Sequence, residues 1–510
     1  MMRGRKSVIV LALSSLWLAG CATSALEMAP ARPDQPWTPA TTADGEIIAG
    51  QRETPNVSGG YVLPANRALA MVSPPPALVP GRAYALPALI DLAERTNPAT
   101  RVAWNDARRV ALAAGIAEST YLPRLTAMAI GGYQGSDGHD AALGTQIDDS
   151  GSVHGMASIL SLQWLLFDFG ERAAIVDAAK QASVISNIAF TEAHQQVIYN
   201  VTLAFYAHAA AQAHLATAIQ SLKNAQIVQA AAQDRYKHGI GTVIETAQAR
   251  QATAQANLAL VRAKGRAQDA YLALMTAMGI SPLTKIKVAG ISDRQLSPAM
   301  ATPVEGIIAT SLARRPDVLG AYAALQASLA NERAAHAEFM PKIFLSANGS
   351  YNSGGVDVSG LPSADPQSPN VNIDGNRLGG AIIAGATIPL YDGGTRAAKL
   401  AQAQAAADSA DAKLTRVRED AVRQIVLADN DLRTDLSAYA ASQSLAVAAQ
   451  TTFDAALSAY RSGVGSITDL TLAESQLLQA KNASSDAYDD ALSAAATLAL
   501  ATGTLGAAPQ

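Results

Sequence analysis

The chain has 510 residues, of which 38 are basic and 42 acidic, and its formal net charge of −4 gives no sign of the positive surface that nucleic-acid-binding proteins need. Charged residues make up 16% of the chain, against roughly 25% in an ordinary soluble domain. Mean hydropathy is +0.11, yet no stretch of about 20 apolar residues occurs, which excludes a protein that crosses a membrane by helices. The apolar excess therefore favours a large oligomer, a β-barrel or both.

The first 20 residues have the pattern of an export signal. Three basic residues within the first six precede an apolar stretch at 8–18 that is too short to span a bilayer. Residues 18–21, Leu-Ala-Gly-Cys, resemble a bacterial lipoprotein signal. The resemblance implies that residues 1–20 are removed, that Cys21 carries a covalent lipid, and that the protein resides at the outer membrane. Cys21 is the only cysteine, which excludes disulfides.

The next segment, residues 21–81, is rich in proline and has little hydrophobic periodicity. It holds 10 of the 23 prolines of the chain, including three in a row at 74–76. Segments of this composition are extended and form no packed core of their own. We expect a lipid-anchored, partly disordered tail between the lipid and the folded body.

The remainder of the chain contains an internal duplication. Residues 97–124 recur as 315–342, and two further motifs at 167–174 and 235–242 recur as 391–398 and 459–466. Three matches in the same order indicate two structural repeats. We place the first repeat at 82–304 and the second at 305–510.

Each repeat begins with an alanine-rich helix, predicted at 98–121 and at 316–339. Two short strands follow on either side of a polar loop, because residues 342–351 alternate between apolar and polar side chains with a period of two, broken only by Phe344. The loops are predicted at 134–152 and 352–377, and the second strands at 153–167 and 378–391. Strands of about 10–14 residues suit a tilted crossing of a bilayer.

A very long helix follows in each repeat, at 168–236 and 392–460. Neither contains proline, and their only glycines lie at the start. At 1.5 Å per residue each helix is roughly 100 Å long. Apolar residues at a strict seven-residue spacing indicate a left-handed coiled coil; in the second repeat they are Ile425, Leu432, Tyr439, Ala446, Phe453 and Tyr460. After a Gly-x-Gly turn, a helix of about 37 residues is predicted to return antiparallel.

Four strands cannot close a barrel, and an open sheet edge in lipid leaves backbone groups without hydrogen bonds. Several copies of the chain must therefore pool their strands, eight in a dimer or twelve in a trimer. The helical hairpins would then continue the barrel as a helical tube.

In these features the sequence resembles the TolC-like outer-membrane efflux proteins, and more narrowly their lipoprotein branch. The resemblance covers about residues 85–505. It is carried by the duplication and by the motifs Asn97-Pro98, Tyr121-Leu122-Pro123, Asp-x-Gly-x-Arg-Ala-Ala from Asp168 and again from Asp392, and Tyr460-x-x-Gly463 before Asp469. It implies a homotrimer with a 12-strand barrel in the outer membrane and a long α-helical tunnel in the periplasm. It also implies docking to a periplasmic membrane-fusion adaptor and an inner-membrane pump.

The expected fold class is mainly α with a small β part, with long antiparallel helical hairpins forming an α-barrel and four strands per chain joining a trimeric β-barrel. The expected function is the outer-membrane channel of a tripartite efflux system for drugs, metal ions or other small solutes. Two alternatives remain open, a type I secretion tunnel for proteins and a lipid-anchored periplasmic coiled-coil scaffold. We expect no enzyme, metal site or cofactor other than the lipid, since no P-loop, Gly-x-Ser-x-Gly or His-Glu-x-x-His motif occurs.

The turns between the paired helices are the candidate contact points for the adaptor, because they lie farthest from the strands. Their glycines supply the backbone freedom that a tight turn needs, and the alternative is that they are turn residues and nothing more. The candidate residues are Tyr236, Gly239, Gly241, Tyr460, Gly463 and Gly465.

Glu245 and Asp469 occupy equivalent positions just past the two turns. The family resemblance implies that acidic residues here ring a closed periplasmic aperture, and three chains would bring up to six carboxylates together. The segments Thr242-x-x-Glu245 and Ser466-x-x-Asp469 also fit a capping box, so the acids are either caps alone or caps with a second role at the aperture. The family often carries another carboxylate three residues later, where this chain has Leu472.

Overall fold

A computed structural model describes residues 28–30, 32–34, 36–52, 61–71, 76, 78–79, 81–142, 145–291, 295–300, 304, 306–359 and 371–506. Cys21 lies outside these residues. The chain divides into two compact units, one ending at Val79 and the other beginning at Pro80. In the first unit, strands β1 (Pro39–Thr41) and β2 (Ile47–Arg52) pair antiparallel, which adds a short hairpin to a segment predicted to be extended.

The second unit consists of two halves with the same order of elements. The first half comprises β3 (Ala83–Tyr84), α1 (Leu86–Thr96), α2 (Pro98–Glu118), β4 (Arg124–Ala142), β5 (Thr145–Phe167), α3 (Glu171–Lys237) and α4 (Val243–Ala277). The second comprises β6 (Lys287–Val288), which lies ahead of the predicted repeat boundary at 304, and then α5 (Ile308–Leu312), α6 (Pro316–Ala337), β7 (Lys342–Ser359), β8 (Val371–Thr387), α7 (Thr395–Arg461) and α8 (Ile467–Ala501). Strands β3 and β6 pair with each other in parallel. None of the described helices combines the length and the apolar character needed to cross a membrane.

The helical hairpins confirm the expected fold class. Helices α3 and α7 have 67 residues each, and their returning partners α4 and α8 have 35 each. Helix α3 packs against both α4 and α8, so the two hairpins share one helical layer. Many of the buried positions are alanines, which allow the helix backbones to approach closely.

One hydrogen bond repeats in both halves and shows how closely they correspond. The side chain of Asn97, before α2, donates to the carbonyl of Ala277 at the end of α4, with 3.1 Å between the atoms. The side chain of Arg315, before α6, donates to the carbonyl of Ala501 at the end of α8 over 2.7 Å. Each contact satisfies one of the carbonyls that a helix C-terminus leaves without an intrahelical partner.

The four long strands form a single antiparallel sheet in the order β4-β5-β7-β8. They have 19, 23, 18 and 17 residues, so the prediction of 10–14 residues was wrong, and much of the predicted loops 134–152 and 352–377 lies within strands. The glycines that indicated a loop instead permit close strand approach: a Cβ on Gly354 would collide with the carbonyl oxygen of His154 on β5. Backbone pairing continues through these positions because it needs no apolar side chain.

The sheet has two properties that bear on function. Within the described chain, β4 and β8 are its edges, each paired on one side only. Its surface carries large apolar side chains that are exposed in the single chain; examples are Leu125, Ile130, Met156, Leu160, Leu378 and Ile382. Contiguous exposed apolar surface of this kind marks a site of contact with lipid or another protein.

Each long helix is joined to the sheet by an aspartate–arginine pair. In the first half, Arg172 Nε donates to Asp168 Oδ2 over 2.7 Å, and both side chains are over 90% buried. Arg172 Nη1 also donates to the carbonyls of Thr120 and Leu165, and the guanidinium lies 5.0 Å from the centre of the Tyr121 ring. We call the pair and these partners the first-half joint.

The second half repeats this joint in a more exposed form. Arg396 Nε donates to Asp392 Oδ2 over 2.8 Å, and the guanidinium lies 5.2 Å from the centre of the Phe339 ring. The side chain of Asp392 is 30% exposed, and the Arg396 hydrogen bond lowers its pKa. The two repeats therefore form the same aspartate–arginine pair, which is buried in the first half and partly exposed in the second.

Candidate functional site at the hairpin tips

The two tip turns have the same backbone geometry. Gly239 and Gly463 each follow a long helix by two residues and have φ of +77° and +81°, in the left-handed region that glycine adopts at helix ends. At the following glycine a side chain would collide with the helix, because a Cβ on Gly241 would lie 2.8 Å from the backbone nitrogen of Tyr236. Both turns therefore need the glycines that the sequence shows.

The returning helices begin with equivalent caps. Thr242 Oγ1 accepts from the backbone N–H of Glu245, and Ser466 Oγ accepts from that of Asp469, each over 3.1 Å. These bonds satisfy donors that the first helical turn leaves open. Because the donors are the backbone N–H groups of Glu245 and Asp469, these bonds do not depend on the charge of either side chain.

Beyond the caps, the two acids have different environments. The carboxylate of Asp469 stays local and exposed, accepting from the Ser466 hydroxyl over 2.7 Å. The carboxylate of Glu245 is half-buried and reaches the other hairpin, where Tyr460 Oη donates to Glu245 Oε2 over 3.1 Å. The equivalence that the sequence indicates therefore extends to the backbone caps, while only Glu245 links the two hairpins.

Arg235, at the end of α3, completes this link. Its Nη1 donates to the carbonyl of Tyr460 over 3.2 Å, its guanidinium lies 5.0 Å from the centre of the Tyr460 ring, and its Nε lies 3.8 Å from Glu245 Oε2. We call Arg235, Glu245 and Tyr460 the tip cluster. A carboxylate, a guanidinium and a phenol in contact at this point hold the tip of the first hairpin against that of the second.

Tyr236 and Tyr460 occupy equivalent positions, and the structure separates their roles. Tyr460 is 1% exposed and Tyr236 is 50% exposed. Burial, together with the hydrogen bond to Glu245, raises the pKa of Tyr460 to about 12, so it is a hydrogen-bond donor across the physiological range. Tyr236 belongs to an exposed apolar surface at the tips, which also includes Ile240, Val243, Ile244 and Val464.

Arg235 is the one member of the tip cluster that the sequence analysis did not select. The repeat alignment contains a signal that could have found it, since position 235 is arginine and the equivalent position 459 is alanine. A charged residue present in only one of two repeats points to a contact that the repeats do not share.

A buried carboxyl group lies further along the same helices. Glu474 on α8 is 6% exposed, and its only hydrogen bond in the described part of the chain comes from Ser221 on α3, with 3.4 Å between Oγ and Oε1. Burial raises the pKa of Glu474 to about 7. The equivalent position in the first repeat is the exposed Arg250, so this buried acid is also specific to one repeat.

We expect Glu474 to make the hairpins less stable as pH rises. Its pKa of about 7 exceeds the ordinary 4.5, so between these values the folded state binds more protons and the unfolding free energy falls with rising pH. In Glu474→Gln this dependence is lost, and at pH above 7 the variant should be more stable by about 3 kcal/mol. Thermal unfolding across pH 4.5 to 8 measures the difference, with the exposed Asp454→Asn as control. Parallel curves for wild type and Glu474→Gln would contradict the assignment.

A family model described as "Outer membrane efflux protein" matches residues 89–280 and 307–504, one stretch in each half. The chain belongs to the outer membrane efflux protein family. Among its relatives, Protein CyaE of Bordetella pertussis is 27% identical over 400 residues, which is 77% of this chain and 78% of that protein. Outer membrane protein OprJ of Pseudomonas aeruginosa is 26% identical over 379 residues, covering 74% of this chain and 75% of OprJ.

Solved structures of this channel family share the fold. The crystal structure of CusC superimposes with a TM-score of 0.67 at 20% sequence identity, covering 85% of this chain and 97% of CusC. These findings confirm the fold class and the outer-membrane efflux function that the sequence indicated. Over the part of the channel that the structure describes, no group of three or more His, Cys, Asp or Glu residues is arranged to hold a metal ion.

Proposed function

We propose that the chain forms the outer-membrane channel of a tripartite efflux system, as a homotrimer that conducts drugs, metal ions or other small solutes out of the periplasm. The observation that carries this proposal is the sheet with edges at β4 and β8 and exposed apolar side chains. Unpaired edges in lipid cost several kcal/mol for each open backbone group. Three copies placed edge to edge supply 12 strands and leave no open edge.

The helical part fits the periplasmic section of such a channel. Helices of 67 residues extend about 100 Å from the sheet, far beyond the thickness of a membrane. The lipoprotein signal at Cys21 supports small solutes over secreted proteins as cargo, because the lipoprotein branch usually serves efflux pumps. Membership of an efflux family supports the same choice.

Channel activity distinguishes this function from a periplasmic scaffold. We expect the purified protein to migrate as a trimer without boiling and to produce discrete single-channel currents in planar bilayers. A scaffold would give neither. As a matched control, a variant with Pro at Ala347 on β7, which pairs with Leu162 on β5 and Ile382 on β8, should abolish both signals, because proline removes a ladder hydrogen bond.

We further propose that the exposed apolar surface at the tips docks the periplasmic adaptor. Cysteines placed at Lys237 and Ser462, both exposed and next to the turns, should cross-link to the adaptor when both proteins are co-expressed. A cysteine at the exposed Ser444, 17 residues before the end of α7 at Arg461, serves as the control and should not. Cross-links from Ser444 alone would show that the adaptor binds along the helices rather than at the tips.

We also propose that Cys21 is the acylated first residue of the mature protein. Metabolic labelling with palmitate should mark the wild type and leave Cys21→Ser unlabelled. The variant should still form trimers, because the sheets rather than the lipid supply most of the membrane contact. Equal labelling of both proteins would contradict this proposal.

A further inference from the structure

A cavity of about 560 Å³ lies between helices α3, α7 and α8 and the residues that follow β6. It is distant in sequence from the tip cluster and lies on other parts of the same helices. Its size is within the range of pockets that hold small molecules, about 300–1,000 Å³. Its lining combines tyrosine rings, one carboxylate and a few amide and hydroxyl groups.

Three tyrosines form the aromatic part of the lining, one from each helix: Tyr206, Tyr439 and Tyr488. The rings of Tyr439 and Tyr488 are 5.2 Å apart between centroids and inclined at 54°. Gln443, one helical turn from Tyr439, donates to its hydroxyl over 2.5 Å, which fixes the position of that ring. Ring faces held in this way attract cations, because the face of an aromatic ring carries negative charge.

The carboxylate in the lining is Asp489 on α8. Its Oδ1 atom is buried and has no hydrogen-bond partner in the described part of the chain. Burial, followed by the neighbouring Asp490 and Asp486, raises the pKa of Asp489 to about 7. A buried polar atom without a partner is costly, and a positively charged ligand would offset that cost.

The charges on the described part of the lining are one-sided. The described lining residues include no lysine or arginine, and residues 292–294, between Ile291 and Gln295, lie outside the described part of the chain. The single lining histidine, His208, has its pKa lowered by burial and is neutral. On α7, Asp435 adds a further acid whose pKa is raised by burial and by Asp490. His214 on α3 is a basic partner of the acids on α8, with 2.8 Å between its Nε2 and Asp486 Oδ1.

We propose that this cavity binds an organic cation with an aromatic or apolar body, its charged group lying against Asp489 and the rings of Tyr439 and Tyr488. The volume and the ring faces suit a substituted ammonium rather than a bare metal ion, which would require several oxygen or nitrogen ligands at short distance. The site does not depend on the channel function, since it is formed within one chain and away from the tips.

The test uses the purified full-length protein in a non-ionic detergent, at a pH about one unit above the pKa of Asp489. The probe is phenyltrimethylammonium, and 2-phenyl-2-propanol is a neutral molecule of similar shape. Titration calorimetry with wild type should show the cation binding at least about tenfold more tightly than the alcohol. Equal affinity for both, or no binding of the cation, would overturn the proposal.

Variants then locate the site. Asp489→Asn should weaken binding of the cation by about tenfold or more, because it removes the charge and keeps the shape. Tyr439→Leu should weaken it by about fivefold, and Tyr439→Phe, which keeps the ring, by less than about twofold. Asp454→Asn, an exposed acid elsewhere on α7, should have no effect. Unchanged affinity in both Asp489→Asn and Tyr439→Leu would place the cation elsewhere, and the Phe–Leu comparison at Tyr439 remains decisive if Asp489→Asn folds poorly.

Discussion

Removing the charges of Glu245 and Asp469 together should reduce the cation selectivity of the channel without loosening the tip turns. In Glu245→Gln/Asp469→Asn the caps from Thr242 and Ser466 persist, because they bind backbone N–H groups. The hydroxyl of Tyr460 can still donate to the amide oxygen of Gln. In a homotrimer the double variant removes six negative charges near one aperture, and the permeability ratio of cation to anion should fall by about threefold or more.

Reversal potentials in planar bilayers under a salt gradient measure this ratio. The difference in this ratio between wild type and the double variant should shrink at high salt, because the Debye length falls from about 10 Å at 0.1 M to about 3 Å at 1 M. Asp454→Asn is the matched control, because it removes the charge of an exposed acid that lies on α7 outside the tip turns. Tyr460→Phe breaks the hydrogen bond to Glu245 but retains the charge, so it should leave selectivity unchanged. If the double variant selects ions as wild type does, the two carboxylates act only in their contacts with Tyr460 and Ser466.

Replacing Arg172 by methionine should cost about 3–5 kcal/mol of unfolding free energy, the largest stability loss that we expect in this chain. The change leaves the carboxylate of Asp168 over 90% buried without its partner, and it frees the carbonyls of Thr120 and Leu165. These groups lie where β5 leads into α3. Losing their contacts with Arg172 should therefore destabilise both the strands and the helix. Urea unfolding followed by circular dichroism in detergent measures the difference.

The second half provides the matched control for this prediction. Arg396→Met disrupts the equivalent pair, but Asp392 is partly exposed and can be hydrated when its partner is removed, so its effect should be much smaller. The double variant Asp168→Asn/Arg172→Met should recover part of the loss, since it removes the unpaired buried charge. Equal losses at Arg172 and Arg396 would show that burial does not set the strength of the joint.

Much of the helical architecture could be predicted from the sequence because it depends on local patterns. Proline-free runs and a seven-residue apolar spacing predicted helices within three residues of α3 and α7 as observed. The paired glycines correctly placed both tip turns, since only glycine adopts the left-handed φ there without strain. The strands were predicted too short, because glycine-rich and polar segments indicate a loop unless one knows that a neighbouring strand approaches closely, as at Gly354.

The sequence by itself determined the repeat, the lengths of the hairpins and the backbone caps before Glu245 and Asp469. Only the tertiary structure decided that Glu245 binds Tyr460, a residue 215 positions away, while Asp469 stays local. The reason is physical: a cap depends on the neighbouring residues, and both repeats carry the same cap. A contact between hairpins depends on which faces pack together. Arg235 of the first repeat stabilises this contact, and the equivalent residue of the second repeat is Ala459.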